Sequence, residues 1–142
     1  MLAHTAGNSI AHSHSLEMAY HYLEAEDIHE IHLKQATHRT MGEFFQLISR
    51  LYATPPVSGV TRILIVQKGA ALPLSSFINE TRTFISQRRR MPHTTPTSIA
   101  VVIEKTSLLH FVSQLLKVMK HQDEVRFFDL HEHDAAVTWL KR

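Results

Sequence analysis

From Leu16 to Gln35 the chain follows the two-residue rhythm of a β-strand. Met18, Tyr20 and Tyr22 fall on one side and Ala19, His21 and Leu23 on the other. After the polar break Ala25-Glu26-Asp27, Ile31 and Leu33 oppose His32 and Lys34, which predicts an antiparallel hairpin. The period then becomes helical. Thr40 and Glu43 have capping-box spacing, Phe44, Leu47, Ile48 and Leu51 share one helical face, and Pro55-Pro56 ends the run. Ile63-Leu64-Ile65-Val66 has no polar alternation, as expected of a central strand covered on both faces.

A second helix is expected from an N-cap at Ser75 or Ser76, with Phe77, Ile78, Thr81, Phe84 and Ile85 facing inward. A basic, proline-punctuated loop, Arg88 to Pro96, leads to another buried strand over Ser98 to Ile103. Thr106 or Ser107 caps a third helix carrying Leu108, Val112, Leu115, Leu116 and Met119. Val125 to Phe128 is the last strand, and Asp129 with Glu132 repeats the capping-box spacing before Ala136, Trp139 and Leu140. The order β-β-α-β-α-β-α-β-α predicts an α/β fold: a hairpin, then parallel strands joined by crossover helices, in a mixed sheet of about five strands with about four helices. Residues 1–15, small and polar, read as a flexible tail, leaving 16–142 as a single domain.

Composition narrows the chemistry. With 142 residues and 44% hydrophobic content, the chain has material for a core without disulfide or metal support. It has no cysteine, which excludes thiol nucleophiles, cysteine-ligated zinc and iron–sulfur clusters. A net charge of +2 lacks the basic excess of a nucleic-acid binder, and no nucleic-acid partner is expected. No run reaches the about 20 apolar residues of a membrane span. The stretch from Met1 to Ile10 lacks the basic start and apolar block of a secretory leader, so a cytoplasmic protein is expected.

The hairpin, the alternating α and β elements and the finish Val-Arg-Phe-Phe-Asp followed by Ala135-x-x-x-Trp139-Leu140 resemble the SpoIIAA-like, or STAS-like, bacterial domains. The resemblance covers residues 17–142; its most specific part is the terminal strand and helix, and the rest matches by element order. It implies the fold of anti-sigma-factor antagonists and of the cytoplasmic domains of sulfate transporters, and a regulatory, protein-binding role. Antagonists of that type switch through a serine in an Asp-Ser-Ser-Gly segment that a partner kinase phosphorylates. The matching positions are Leu74-Ser75-Ser76-Phe77, with Ser75 at the switch position, leucine in place of the aspartate and phenylalanine in place of the glycine. Phosphate at a helix N-terminus would be stabilised by free N–H groups and the helix dipole; otherwise Ser75 or Ser76 simply caps the helix.

Other constellations have plainer readings. Arg88, Arg89 and Arg90, with Lys68 and His93, offer cations to an anion or an acidic partner surface, or else form a solvated loop complementing a helix C-terminus. Phe77, Phe84, Phe111 and Trp139 either line a pocket for a small apolar ligand or lipid, or belong to the core. Among the twelve histidines, His12 and His14 sit in the expected tail. His131 and His133 on a helix start diverge by about 200°, and capping accounts for Asp129, Glu132 and Asp134 beside them. His29 and His32 should point to opposite faces of their strand, and His110 should lie in the third helix; none is read as paired with a nearby carboxylate. No metal or cofactor site is expected. The chain lacks a glycine-rich phosphate loop, a Gly-x-Ser-x-Gly elbow and a His-Glu-x-x-His helix. The expectation is therefore a non-enzymatic interaction module that binds a protein partner or itself as a homodimer.

Overall fold

The computed structural model describes residues 12–14, 18–34, 38–68, 79, 82–83, 86–87, 90, 95–104 and 123–142. Their centre is the run Thr61–Gln67. Six of its seven residues are buried, because its odd and even positions are covered by different layers. Ile63 and Ile65 join a cluster with Phe44, Leu47, Ile48 and Leu51 of helix α1 (His38–Ala53). Leu64 and Val66 join a second cluster with Ala136 and Leu140 of helix α2 (His133–Lys141). A strand sandwiched this way needs apolar side chains at every position, which is why its sequence shows no alternation.

Among the described residues the sheet has six strands in chain order: β1 (His12–His14), β2 (Met18–Leu23), β3 (Ile28–Leu33), β4 (Thr61–Gln67), β5 (Thr97–Ile103) and β6 (Asp123–Phe128). β1, β2 and β3 pair antiparallel, whereas β3 to β6 are parallel neighbours. The hairpin and the parallel strands are those expected. The count is not: three residues of the expected tail, His12–His14, instead form an edge strand on β2 and raise about five strands to six. Backbone pairing decided this, since a three-residue polar segment has no periodicity to read.

Of about four expected helices, two are complete among the described residues. The one expected from Thr106 or Ser107 lies outside them, and so does most of the one expected from Ser75 or Ser76. Within the latter, Asn79, Arg82, Thr83, Ser86 and Gln87 are helical and exposed, and the Thr83 hydroxyl donates to the Asn79 carbonyl at 3.1 Å. A second correction concerns α1. It starts at His38, so Thr40 lies inside its first turn, fully buried, and is not its N-cap. Glu43 pairs with Arg39 at 3.5 Å, one turn earlier.

The capping box at the other end of the chain forms as its spacing predicts. The Asp129 N–H donates to Glu132 Oε1 at 2.8 Å, and the Asp129 carboxylate accepts in return, initiating the 3-10 turn Leu130–Glu132. That turn aims α2 back over β4, β5 and β6. Ala100, fully buried with no side chain beyond Cβ, lets the helix approach, and Trp139 packs on Phe128 with ring centroids 6.2 Å apart.

Candidate functional site

β3 places its chemistry on both faces. Even positions face the α2 side. There Glu30 stands two residues from His32 and directly across from His21 of β2. His32 Nε2 bonds to Glu30 Oε2, and His133 Nε2, on the first residue of α2, lies 3.7 Å from the same oxygen. One carboxylate, 15% exposed, is thus addressed by two imidazoles from elements about a hundred residues apart in sequence. Its pKa is held below the usual carboxylate range by the hydrogen bond from His32 and the charge of both rings, against the opposing effect of burial. His133 also lies 3.7 Å from Asp134, while His131 turns to Asp129 at 3.6 Å, so the two histidines diverge as expected.

Odd positions face α1. His29 is buried between two tyrosines, with ring centroids 6.0 Å from Tyr20 and 4.8 Å from Tyr22. Tyr20 Oη and His29 Nδ1 are 2.8 Å apart. Burial lowers the His29 pKa, with Asp27 opposing, and raises that of Tyr20 to about 12. Tyr22 donates to Asp27 Oδ1 at 2.7 Å, and the Ser58 N–H donates to Asp27 Oδ2 at 2.8 Å. Asp27 adopts φ of +56°, and Gly59, in the loop it grips, adopts +85°. Aspartate is among the few side chains that tolerate this left-handed region. The network therefore ties the hairpin turn to the loop before β4.

A cleft of about 280 Å³ opens at the amino end of the parallel strands, lined by Val60, Arg62, Ser98, Glu124, Leu140 and Arg142 among others. Its cations are occupied: Arg62 donates to the Glu26 carbonyl at 2.9 Å, and Arg142 pairs with Glu124 at 2.5 Å.

Of the residues singled out by sequence, Ser75, Ser76, Arg88 and Arg89 lie outside the described residues. Arg90 is exposed in a turn, its N–H donating to the Gln87 carbonyl at 3.1 Å. Lys68 is exposed at the end of β4. Trp139 is half-buried against Phe128 and beneath the Arg142 guanidinium, 4.2 Å from its centroid, which is a core and capping role. The expectation that no strand histidine has a nearby carboxylate is overturned by Glu30 and His32. The signal was present: two residues apart on a strand means one face. The contribution of His133 had no such signal. Glu30, His32 and His133 are potential metal donors closed on one another. Among the described residues, no group of three or more His, Cys, Asp or Glu is disposed to hold a metal ion.

A mixed sheet with a helix on each face and polar networks that tie the hairpin turn to the loop before β4 and α2 to β3 defines an α/β scaffold. The SpoIIAA-like family model matches residues 26–141, and the chain belongs to that family. Comparison with curated proteins returned no match, and comparison with solved structures returned none either. Among the described residues, no helix is long and apolar enough to cross a membrane.

Proposed function

We propose that the protein is a cytoplasmic, non-enzymatic regulatory module of the anti-sigma-factor-antagonist type, working by binding a protein partner or a second copy of itself. The SpoIIAA-like match over residues 26–141 carries this reading. The internal pairing of Glu30, His32 and His133 is consistent with it, because those groups hold α2 to β3 and are not held ready for a substrate. Within this reading Ser75 is the phosphorylation site, Ser76 its neighbour at the helix start, and Arg88, Arg89 and Arg90 a contact for an anion or an acidic partner surface.

Affinity capture with the full chain, followed by mass measurement of the eluted complex, tests the main claim. The expected result is a defined heteromeric or self-associated species. A strict monomer that recovers no partner overturns it. For the switch, Ser75→Asp should weaken partner binding at least tenfold; unchanged binding removes Ser75 from the mechanism.

A further inference from the structure

The two edges of the sheet differ. β1 is a three-residue edge, whereas β6 runs six residues, Asp123–Phe128, in continuous register with β5 and without a bulge. Among the described residues β6 has a neighbour on one side only. An edge strand presents a row of N–H and C=O groups, and proteins that must keep one unpaired shorten it, bulge it, cover it with a helix or loop, or place proline or charged side chains, lysine above all, on it. The segment Asp-Glu-Val-Arg-Phe-Phe contains neither proline nor lysine.

Its charges are instead self-complementary. Glu124 and Arg126 are both exposed and share the α2 face, while Val125 and Phe127 pack toward the α1 face. Two copies of β6 can continue one sheet with two-fold symmetry only if they run antiparallel, which makes the interface isologous. With the axis through Val125, Glu124 of each copy stands opposite Arg126 of the other, twice. Sliding the register by two residues sets Glu124 against Glu124 or Arg126 against Arg126, and like charges directly opposite destabilise a strand pair. Charge therefore selects one register. The Glu124 carboxylate can keep its bond to Arg142 and accept a second cation, since its two oxygens offer about four acceptor sites.

We infer that β6 is a homodimerisation edge, pairing antiparallel with β6 of a second copy about a two-fold axis at Val125 to make one continuous sheet. The choice of a protein occupant rests on the interaction-module reading. A monomer that still captures a regulatory partner would overturn the dimer alone and leave that reading standing.

Because the chain has no cysteine, the register can be read directly. Directly opposite residues of an antiparallel pair have Cα atoms about 4.5–5.5 Å apart, within the span a disulfide accepts. Val125→Cys should form a covalent dimer under mild oxidation. Phe127→Cys, which would stand opposite residue 123, should not. Sedimentation velocity of the unmodified chain should show a dimer. Arg126→Glu or Glu124→Arg should weaken it at least tenfold, and the double swap E124R/R126E should restore it. Circular dichroism checks the fold of each variant; should Arg126→Glu unfold, Arg126→Gln replaces it and must also weaken the dimer. A monomeric wild type, equal cross-linking at both cysteines, or a dimer indifferent to the single swaps overturns the inference.

Discussion

Replacing Asp27 by alanine should cost about 3–4 kcal/mol, of which hydrogen bonds to a charged acceptor contribute about 1.5 kcal/mol each at the low end of their range. Two such bonds are lost, from the Tyr22 hydroxyl at 2.7 Å and the Ser58 N–H at 2.8 Å. The low end applies because the Ser58 N–H, in an exposed loop, can turn to water. The backbone adds to the loss: at φ of +56° alanine pays the left-handed penalty of about 1 kcal/mol that aspartate partly escapes. The assay is urea unfolding followed by circular dichroism. With a slope of about 2 kcal/mol/M, the midpoint should fall by roughly 1.5–2 M at unchanged slope. Asp27→Asn keeps one acceptor and should lose about half as much. Tyr22→Phe alone should cost about 1.5 kcal/mol and be nearly silent in the Asp27→Ala background, since the bond is already gone. The pH dependence follows. Burial pushes the Asp27 carboxyl up, but the hydrogen bonds from Ser58 and Tyr22 and the charge of His29 together hold it below its ordinary value. Its contribution is therefore complete above the unfolded carboxylate pKa of about 3.9 and is lost as pH falls through the lower folded value. An Asp27→Ala protein within about 0.5 kcal/mol of wild type, the range of an ordinary surface substitution, would refute the network as a stabilising tie.

Three further outcomes are expected. Glu30→Gln should flatten the acid side of the stability–pH profile, because Glu30 too has a lowered pKa and its contribution is present above the unfolded value and lost below it; an unchanged acid limb would contradict this. Ala100→Leu should destabilise by about 1–3 kcal/mol through overpacking and change the fluorescence of Trp139, the single tryptophan, as α2 lifts from β5. The His29 ring should stay neutral below the ordinary imidazole range in an NMR titration, and stability should fall as pH drops through the unfolded value, because the unfolded chain takes up that proton first; a normal titration would mean His29 is not desolvated.

Legibility followed the range of the interactions. The strand rhythm of β2 and β3, the apolar runs of β4 and β5 and the Asp129–Glu132 box are local patterns, and each appears as its sequence predicts. Thr40 misled because a threonine three residues before a glutamate is equally compatible with a site inside the first turn, and burial of its side chain decided for the interior. The pairing of Glu30 with His32 is legible from strand alternation, since residues two apart on a strand share a face.

Sequence alone determined the class: α/β, a hairpin before parallel strands, a capped closing helix and a likeness to SpoIIAA-like domains. These depend on backbone propensity and on which face of an element is apolar, properties held within about ten residues. Only the tertiary structure decided that His12–His14 extends the sheet, that Asp27 grips Ser58, that His133 reaches Glu30, and that β6 stands last in the strand order of the described residues. The physical reason is that side chains distant in the chain meet only after sheet register and helix docking are set. The hydrophobic burial that sets them is non-directional and carries no address for a particular polar partner.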